Sequence, residues 1–265
     1  MTKITIGQHY PTDSIIHHLD ARVKLIGTIM YIVFLLFVNH YAGYGVAALF
    51  LTGIIALSKI PPRLIFRGLR MIVFILIFAA GINLFFTAGE TVLFHFAFIR
   101  ITLEGIMMAS HMAMRLILLV MGSSILTLTT SPIQLTDGIE SLLNPLKPIK
   151  VPAHDIAMLM TIALRYIPAL AEEMEKIMKA QKARGADFDT GGLIKRIRSM
   201  LPILVPLFVS AFKRADELAT AMEARCYRGD INRTKMKAMK MTRTEFIGMG
   251  VMICFGGLIF LTRLL

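Results

Sequence analysis

Cysteine and charge are both scarce in this sequence. Only two of 265 residues are cysteine, Cys226 and Cys254, and no Cys-x-x-Cys pair occurs. That argues against a disulfide framework and against a zinc site. Charged residues make up 17% of the chain, against roughly 25% in an ordinary soluble domain. With 56% hydrophobic residues, a disordered chain is excluded and an ordinary soluble enzyme is disfavoured. Acidic residues are the scarcest: 17 Asp and Glu stand against 29 Lys and Arg, a net charge of +12. In a soluble protein this balance would point to nucleic acid. In a chain with long apolar runs and a mean hydropathy of +0.68, it points to basic cytoplasmic loops instead. The expected surroundings are a lipid bilayer, with no nucleic acid. The N-terminus shows no cleavable signal pattern, so the first apolar run is expected to be its own insertion signal.

Catalytic motifs are missing too. There is no G-x-x-x-x-G-K-[ST], H-E-x-x-H, G-x-S-x-G or G-x-G-x-x-G, so no nucleotide or metal chemistry is expected of this chain by those motifs. His17 and His18 are adjacent and would not share a helix face. They read as interfacial rather than metal-binding. His95 and His111 lack neighbours at ligand spacing. The apolar segments hold essentially no acids, which argues against a pump or antiporter. An intramembrane protease or lipid transferase would need buried acids, a Ser/Lys pair or metal ligands. A stand-alone carrier or channel remains as a rival, without the repeated halves such proteins often show. Arg115, inside an apolar segment, reads as facing the bundle interior. It should pair there with a carbonyl or a polar side chain, Asn83, Ser110 or Ser123.

Long apolar runs are what the chain does have. About five spanning segments are expected: Val23–Val38, Ala42–Leu57, Met71–Ala88, Gly105–Thr130 and Phe246–Leu261. The stretch SKIPPRLIFRGLR after the second carries Lys59, Arg63, Arg67 and Arg70 and no acid, so it is expected to be cytoplasmic. Segment parity then puts the N-terminus and Ser131–Glu245 inside and the C-terminus outside. Leu93–Thr102 is too short to span as a helix and suits a small external hairpin or interfacial turn. The fold class is an all-α membrane protein of about five transmembrane helices plus a cytoplasmic domain of amphipathic helices. The division is 1–130 as an N-terminal membrane domain, 131–245 as the cytoplasmic domain, and 246–265 as a C-terminal transmembrane helix.

Within 131–245, two apolar stretches are interrupted by Arg165 and Pro168 and by Pro202 and Pro206. Neither gives a clean run of about 20 apolar residues. Both lead directly into charged amphipathic helix, expected at the cytoplasmic interface. Met174, Ile177, Met178 and Gln181 follow the i, i+3, i+4, i+7 spacing. Glu172/Lys176 and Glu175/Lys179 are i,i+4 pairs in the favourable order. Phe208, Phe212, Ala215, Ala219 and Met222 form a second stripe, and Ala211, Ala215 and Ala219 form a ladder of small residues.

The two helices end alike, AQKARGADFD from Ala180 and AMEARCYRGD from Ala221. Both fit A-x-x-A-R followed by a small residue. An arginine in the last turn complements the helix dipole, and Gly185 is an ordinary C-cap. That reading fits Arg184 well and the repetition less well. Small neighbours also let a helix end enter a groove on another protein, while the guanidinium reaches carboxylates or carbonyls. On the residues alone, capping and docking stand about even.

At these residues the sequence resembles the transmembrane (T) component of energy-coupling factor transporters. The resemblance runs through HHLDARVKL, SKIPPRLIFRGLR, GINLFFTAG, TLTTSPIQLTDGIESLLNPLK, ALRYIPALAEEMEKIMKAQKARGADF and PLFVSAFKRADELATAMEARCYRG. It implies a non-catalytic scaffold in the plasma membrane of a prokaryotic-type cell. Two ABC-type ATPases would dock on its coupling helices. A small membrane S component would bind the vitamin or other micronutrient and release it inside. By this resemblance Ala183, Arg184 and Gly185 would engage one ATPase, and Ala224, Arg225 and Cys226 the other. The chain itself would hold no cofactor; ATP and Mg would be bound by the partner ATPases. A dedicated cobalt- or nickel-type importer subunit is the alternative within the family. The second motif departs from the pattern in ending on Cys226. Cysteine lacks glycine's freedom at positive φ, so the helix is expected to continue past Arg225.

Overall fold

A computed structural model describes residues 9–87, 91–96, 99–186, 188, 192–229 and 242–264. These fall into two compact units: those within Gly7–Ile139 and Met239–Leu265, and those within Glu140–Ala238.

The first unit is a helical bundle. It comprises α1 (Ile15–His18), α2 (Ala21–Leu36), α3 (Tyr41–Ser58), α4 (Pro62–Phe86), α5 (Leu103–Thr129) and α9 (Arg243–Leu264). Most of α6 (Pro132–Leu143) belongs with it. Between α4 and α5, β1 (Val92–Phe96) pairs antiparallel with β2 (Ile99–Thr102), the hairpin expected from the aromatic and β-branched stretch. Thr102 then caps α5 by accepting from the Gly105 N–H at 3.1 Å.

Side-chain contacts fix the helix directions. Lys24 meets the carbonyl of Thr129, Tyr31 that of Leu118, and Arg115 that of Val38, so α5 runs antiparallel to α2. Gly248 lies against Val23, and Gly27 against Met252, so α9 runs parallel to α2. Gly43 meets Thr262, and Phe50 stacks on Phe255, so α3 opposes α9. Gly68 meets Ser124, and Asn83 bonds Met112, so α4 opposes α5. One end of the bundle therefore gathers the starts of α2, α4 and α9 and the ends of α3 and α5. Lys24, Lys59, Arg63, Arg67, Arg70 and Arg243 all lie toward that end. The β1–β2 hairpin and the end of α9 lie at the other.

The core is an aromatic layer. Phe50 and Phe255 stack at 4.1 Å, and Tyr31 lies 5.8 Å from Phe255. Leu35, Ala47 and Leu51 are fully buried around it. Glycine lets the helices approach: a Cβ at Gly256 would sit 2.5 Å from Phe34.

Three described helices are long and apolar enough to cross a membrane: Tyr41–Ser58, Leu103–Thr129 and Arg243–Arg263. A fourth is added if Pro62–Arg70 and Ile72–Leu84, bent by 56° at their break, form one span. Against the expected count of about five, this leaves α2, which runs from one end of the bundle to the other beside α5 and α9, as the remaining candidate. The first apolar block forms a helix of only 16 residues, ~24 Å long against a hydrocarbon core of ~30 Å. Arg115 does pair with a carbonyl, as expected, but with that of Val38 at 2.8 Å rather than with Asn83, Ser110 or Ser123. Tyr44 donates to the same oxygen at 3.2 Å. His17 and His18 turn to separate partners, Tyr10 and Ser14 for the first and Asp13 for the second.

The second unit is built on α7 (Ala153–Ala183) and α8 (Leu193–Ala224). Both continue through their internal prolines, Pro168 in α7 and Pro202 and Pro206 in α8. In the first turn of α7, His154 Nδ1 lies 3.1 Å from Glu140 near the end of α6.

Candidate functional site

The site is an antiparallel pair of helices. Arg214 of α8 donates to Glu173 of α7 at 2.8 Å, and the Tyr227 hydroxyl, just past α8, meets Met158 near the start of α7 at 3.0 Å. Moving back along α7 thus corresponds to moving forward along α8. Met174, Ile177, Met178 and Gln181 are half-buried, while Glu172, Glu175, Lys176 and Lys179 are exposed. The 3.6-residue period therefore assigned this face correctly. Of the expected i,i+4 pairs, Glu175 and Lys179 lie 3.9 Å apart.

A polar clasp that the sequence reading missed joins the two helices. Glu173 accepts from Ser210 and from Arg214. The Ser210 hydroxyl, followed by the Arg214 guanidinium, holds the Glu173 carboxyl below its ordinary range. Ser210 and Arg214 are four apart and share a helix face, and that spacing was the available signal. A carboxylate held low contributes stability above its unfolded pKa. That contribution is lost as pH falls through the folded pKa. Glu173→Gln is therefore expected to lower the thermal midpoint of the detergent-solubilised chain at neutral pH. The gap to the unaltered chain should close as pH falls below the ordinary glutamate value of 4.5. A gap that stays constant across that range would remove the clasp from the account.

The two helix ends are built alike. At the first, Arg184 is the C-cap residue and Gly185 has φ +87. The Gly185 N–H donates to Lys182 at 3.0 Å and the Ala186 N–H to Gln181 at 3.0 Å. At the second, Arg225 is the C-cap residue and Cys226 has φ +53. The Cys226 N–H donates to Glu223 at 2.8 Å and the Tyr227 N–H to Met222 at 3.0 Å. Both are Schellman motifs, bond for bond. The expectation that α8 continues past Arg225 is thus corrected. The left-handed conformation costs a non-glycine residue roughly 1–2 kcal/mol, and here two capping bonds form with it. No described residue lies within 4 Å of where a Cβ would stand at Gly185.

Ala183, Arg184, Gly185, Ala224, Arg225 and Cys226 are all exposed. Neither the Arg184 nor the Arg225 side chain makes a hydrogen bond or ion pair among the described residues. The contacts along the hairpin set Arg225 level with about residue 161 of α7. Arg184 stands about 23 residues further on, ~35 Å at ~1.5 Å per residue. The structure brings each triplet together at its own helix end and keeps the two ends apart. One face of α8 is also bare: Ile197, Leu201, Leu204, Val205, Phe208 and Phe212 are between 49% and 67% exposed. Phe208 and Phe212, of the stripe expected at helical spacing, lie on this bare face.

A family model described as "Cobalt transport protein" matches residues 12–236. Relatives named "Energy-coupling factor transporter transmembrane protein EcfT" cover nearly the whole chain. The one from Ruminiclostridium cellulolyticum is 52% identical over 95% of this chain and 94% of its own length. That from Thermosediminibacter oceani is 50% identical over 95% and 96%, and that from Bacillus subtilis 40% identical over 99% of both. Apolar helices of spanning length, two amphipathic helices with matching arginine ends, and similarity over the full length agree: the chain belongs to the transmembrane (T) components of energy-coupling factor transporters.

Proposed function

We propose that this chain is the non-catalytic scaffold of an ATP-driven importer, in which one ABC-type ATPase docks at the Arg184 end and a second at the Arg225 end. The observation that carries the reading is the repeated cap. Two separate helix ends present the same Ala-Arg-small triplet on the same backbone, with the guanidinium exposed and unpaired among the described residues. At ~35 Å apart, the ends suit two protein bodies rather than one. ATP and Mg belong to those partners. The bare apolar face of α8 supports docking of a small membrane S component, which carries the vitamin or other micronutrient. Movement of α7 and α8, driven by the ATPases, then reorients that component.

The gathering of Lys59, Arg63, Arg67, Arg70 and Arg243 toward one bundle end supports placing that end, the N-terminus and the α7–α8 unit in the cytoplasm. Purification of the tagged chain in mild detergent from its native cell, with quantitative mass spectrometry, tests the assembly. Two ATPases and a small membrane protein in near-equal amounts are expected. A chain that purifies alone and moves solute in vesicles without ATP would overturn the scaffold. Protease added to sealed spheroplasts should leave α7 and α8 uncut; cleavage there would reverse the sidedness.

A further inference from the structure

The bundle contains an apolar cavity of about 440 Å³ that the scaffold role does not use. Leu19, Val23, Leu57, Ile125, Val251 and Met252 are among its walls. Five polar side chains reach it: Lys24, Thr28, Tyr31, Thr129 and Thr244. Four are already engaged. Lys24 Nζ donates to the His17 and Thr129 carbonyls, each at 3.0 Å. Thr28 donates to Lys24 at 2.8 Å, Tyr31 to Leu118 at 3.2 Å, and Thr129 to Ile125 at 2.8 Å. An occupant therefore finds van der Waals contact and almost no free hydrogen-bonding group. A water-soluble solute would lose its hydration without compensation, whereas a hydrocarbon chain would lose nothing.

A polar recess adjoins the cavity and shares Ile15, Leu57 and Thr244 with it. Asp13, Ser14, His18, Ala56 and Lys59 complete its lining. Asp13 is taken up by His18 at 2.6 Å. Lys59 ends α3 in the left-handed conformation and has no ion pair among the described residues. The stretch that follows adds Arg63, Arg67 and Arg70 without an acid. A dry slot opening beside a recess that presents the Lys59 ammonium has the order of polarity of one lipid molecule.

We propose that the cavity and recess together bind one anionic phospholipid, with an acyl chain among Leu19, Val23 and Ile125 and the phosphate at Lys59. The site lies wholly within the membrane unit, so it stands or falls independently of ATPase docking.

The test is native mass spectrometry of the delipidated full chain, titrated with dioleoylphosphatidylglycerol or dioleoylphosphatidylcholine. The unaltered chain should hold one phosphatidylglycerol, preferred about fivefold over phosphatidylcholine, as one basic contact to an anionic headgroup implies. An added Cβ at Gly248 meets only Val23 and Leu19, at 3.6 and 3.8 Å, so Gly248→Leu can fill the cavity without forcing the helices apart. It should weaken binding of both lipids about tenfold or more, the effect of excluding a few methylenes. Lys59→Asn suits the left-handed position and removes the charge. It should abolish the preference and leave phosphatidylcholine binding unchanged. Undiminished binding in Gly248→Leu, no preference in the unaltered chain, or a preference that survives Lys59→Asn would each overturn the site. Should Gly248→Leu lose its sharp thermal transition, Lys59→Asn still decides, because it leaves the cavity untouched.

Discussion

Arg184→Glu is expected to remove one ATPase from the purified complex and leave the other, and Arg225→Glu to do the converse. The double variant should purify without either and take up no substrate. A central interfacial arginine typically costs ~2–4 kcal/mol when lost, or roughly 30- to 1,000-fold in affinity, and reversal of its charge adds repulsion. The fold itself should not suffer, since both side chains are exposed and have no partner among the described residues. An unchanged thermal midpoint is therefore the control. Retention of both ATPases at full stoichiometry by the double variant would sink the docking role.

Graded substitutions separate charge from geometry. Lysine keeps the charge but loses the planar fork that binds two oxygens at once, so Arg184→Lys and Arg225→Lys should retain partial docking. If they behave as the unaltered chain does, the arginines act only as general positive charge.

The expectations about α7 and α8 fared unevenly, for physical reasons. Their amphipathic period was legible, because hydrophobic spacing depends on residues a few positions apart. Met174, Ile177 and Met178 turned up on the half-buried face for that reason. The triplet ends were legible as a repeat. Their shared cap was not, because glycine's preference for positive φ is only a prior. Cys226 takes the left-handed conformation in a motif whose two bonds are supplied by Glu223 and Met222. The clasp of Glu173, Ser210 and Arg214 depends on register between residues about 40 apart, which local patterning does not encode. The fate of Phe208 and Phe212 shows a further limit. An apolar stripe announces that something will cover it, not whether the cover belongs to the same chain. In the membrane unit, the apolar runs were read from composition. The first forms a helix shorter than a typical span, since Phe37 caps α2 and Val38 lies beyond it.

Gly122→Val is expected to be the most damaging single change within the membrane unit. An added Cβ alone would stand 2.4 Å from Cε1 of Tyr31 and 2.8 Å from Cδ1. Tyr31 has little room to retreat. It is 4% exposed, its hydroxyl donates to Leu118 at 3.2 Å, and its ring lies 5.8 Å from that of Phe255 and 6.3 Å from that of Phe50. Relief then requires α2 and α5 to separate. Separation would strain the contacts that hold them at either end, Lys24 to Thr129 and Arg115 to Val38. Overpacking of a filled core costs ~1–3 kcal/mol, and the rigid ring places this site toward the upper part of that range. The thermal midpoint in detergent should fall by several degrees, and the yield of monodisperse protein with it. Gly122→Ala should show a smaller fall of the same sign. A second substitution identifies the cause. Tyr31→Phe keeps the clashing carbons and should not rescue Gly122→Ala, whereas Tyr31→Leu removes the ring edge and should recover part of the loss. Equal rescue by both would trace the damage to the hydroxyl's hydrogen bond, and no rescue by either would place it outside the α2–α5 contact.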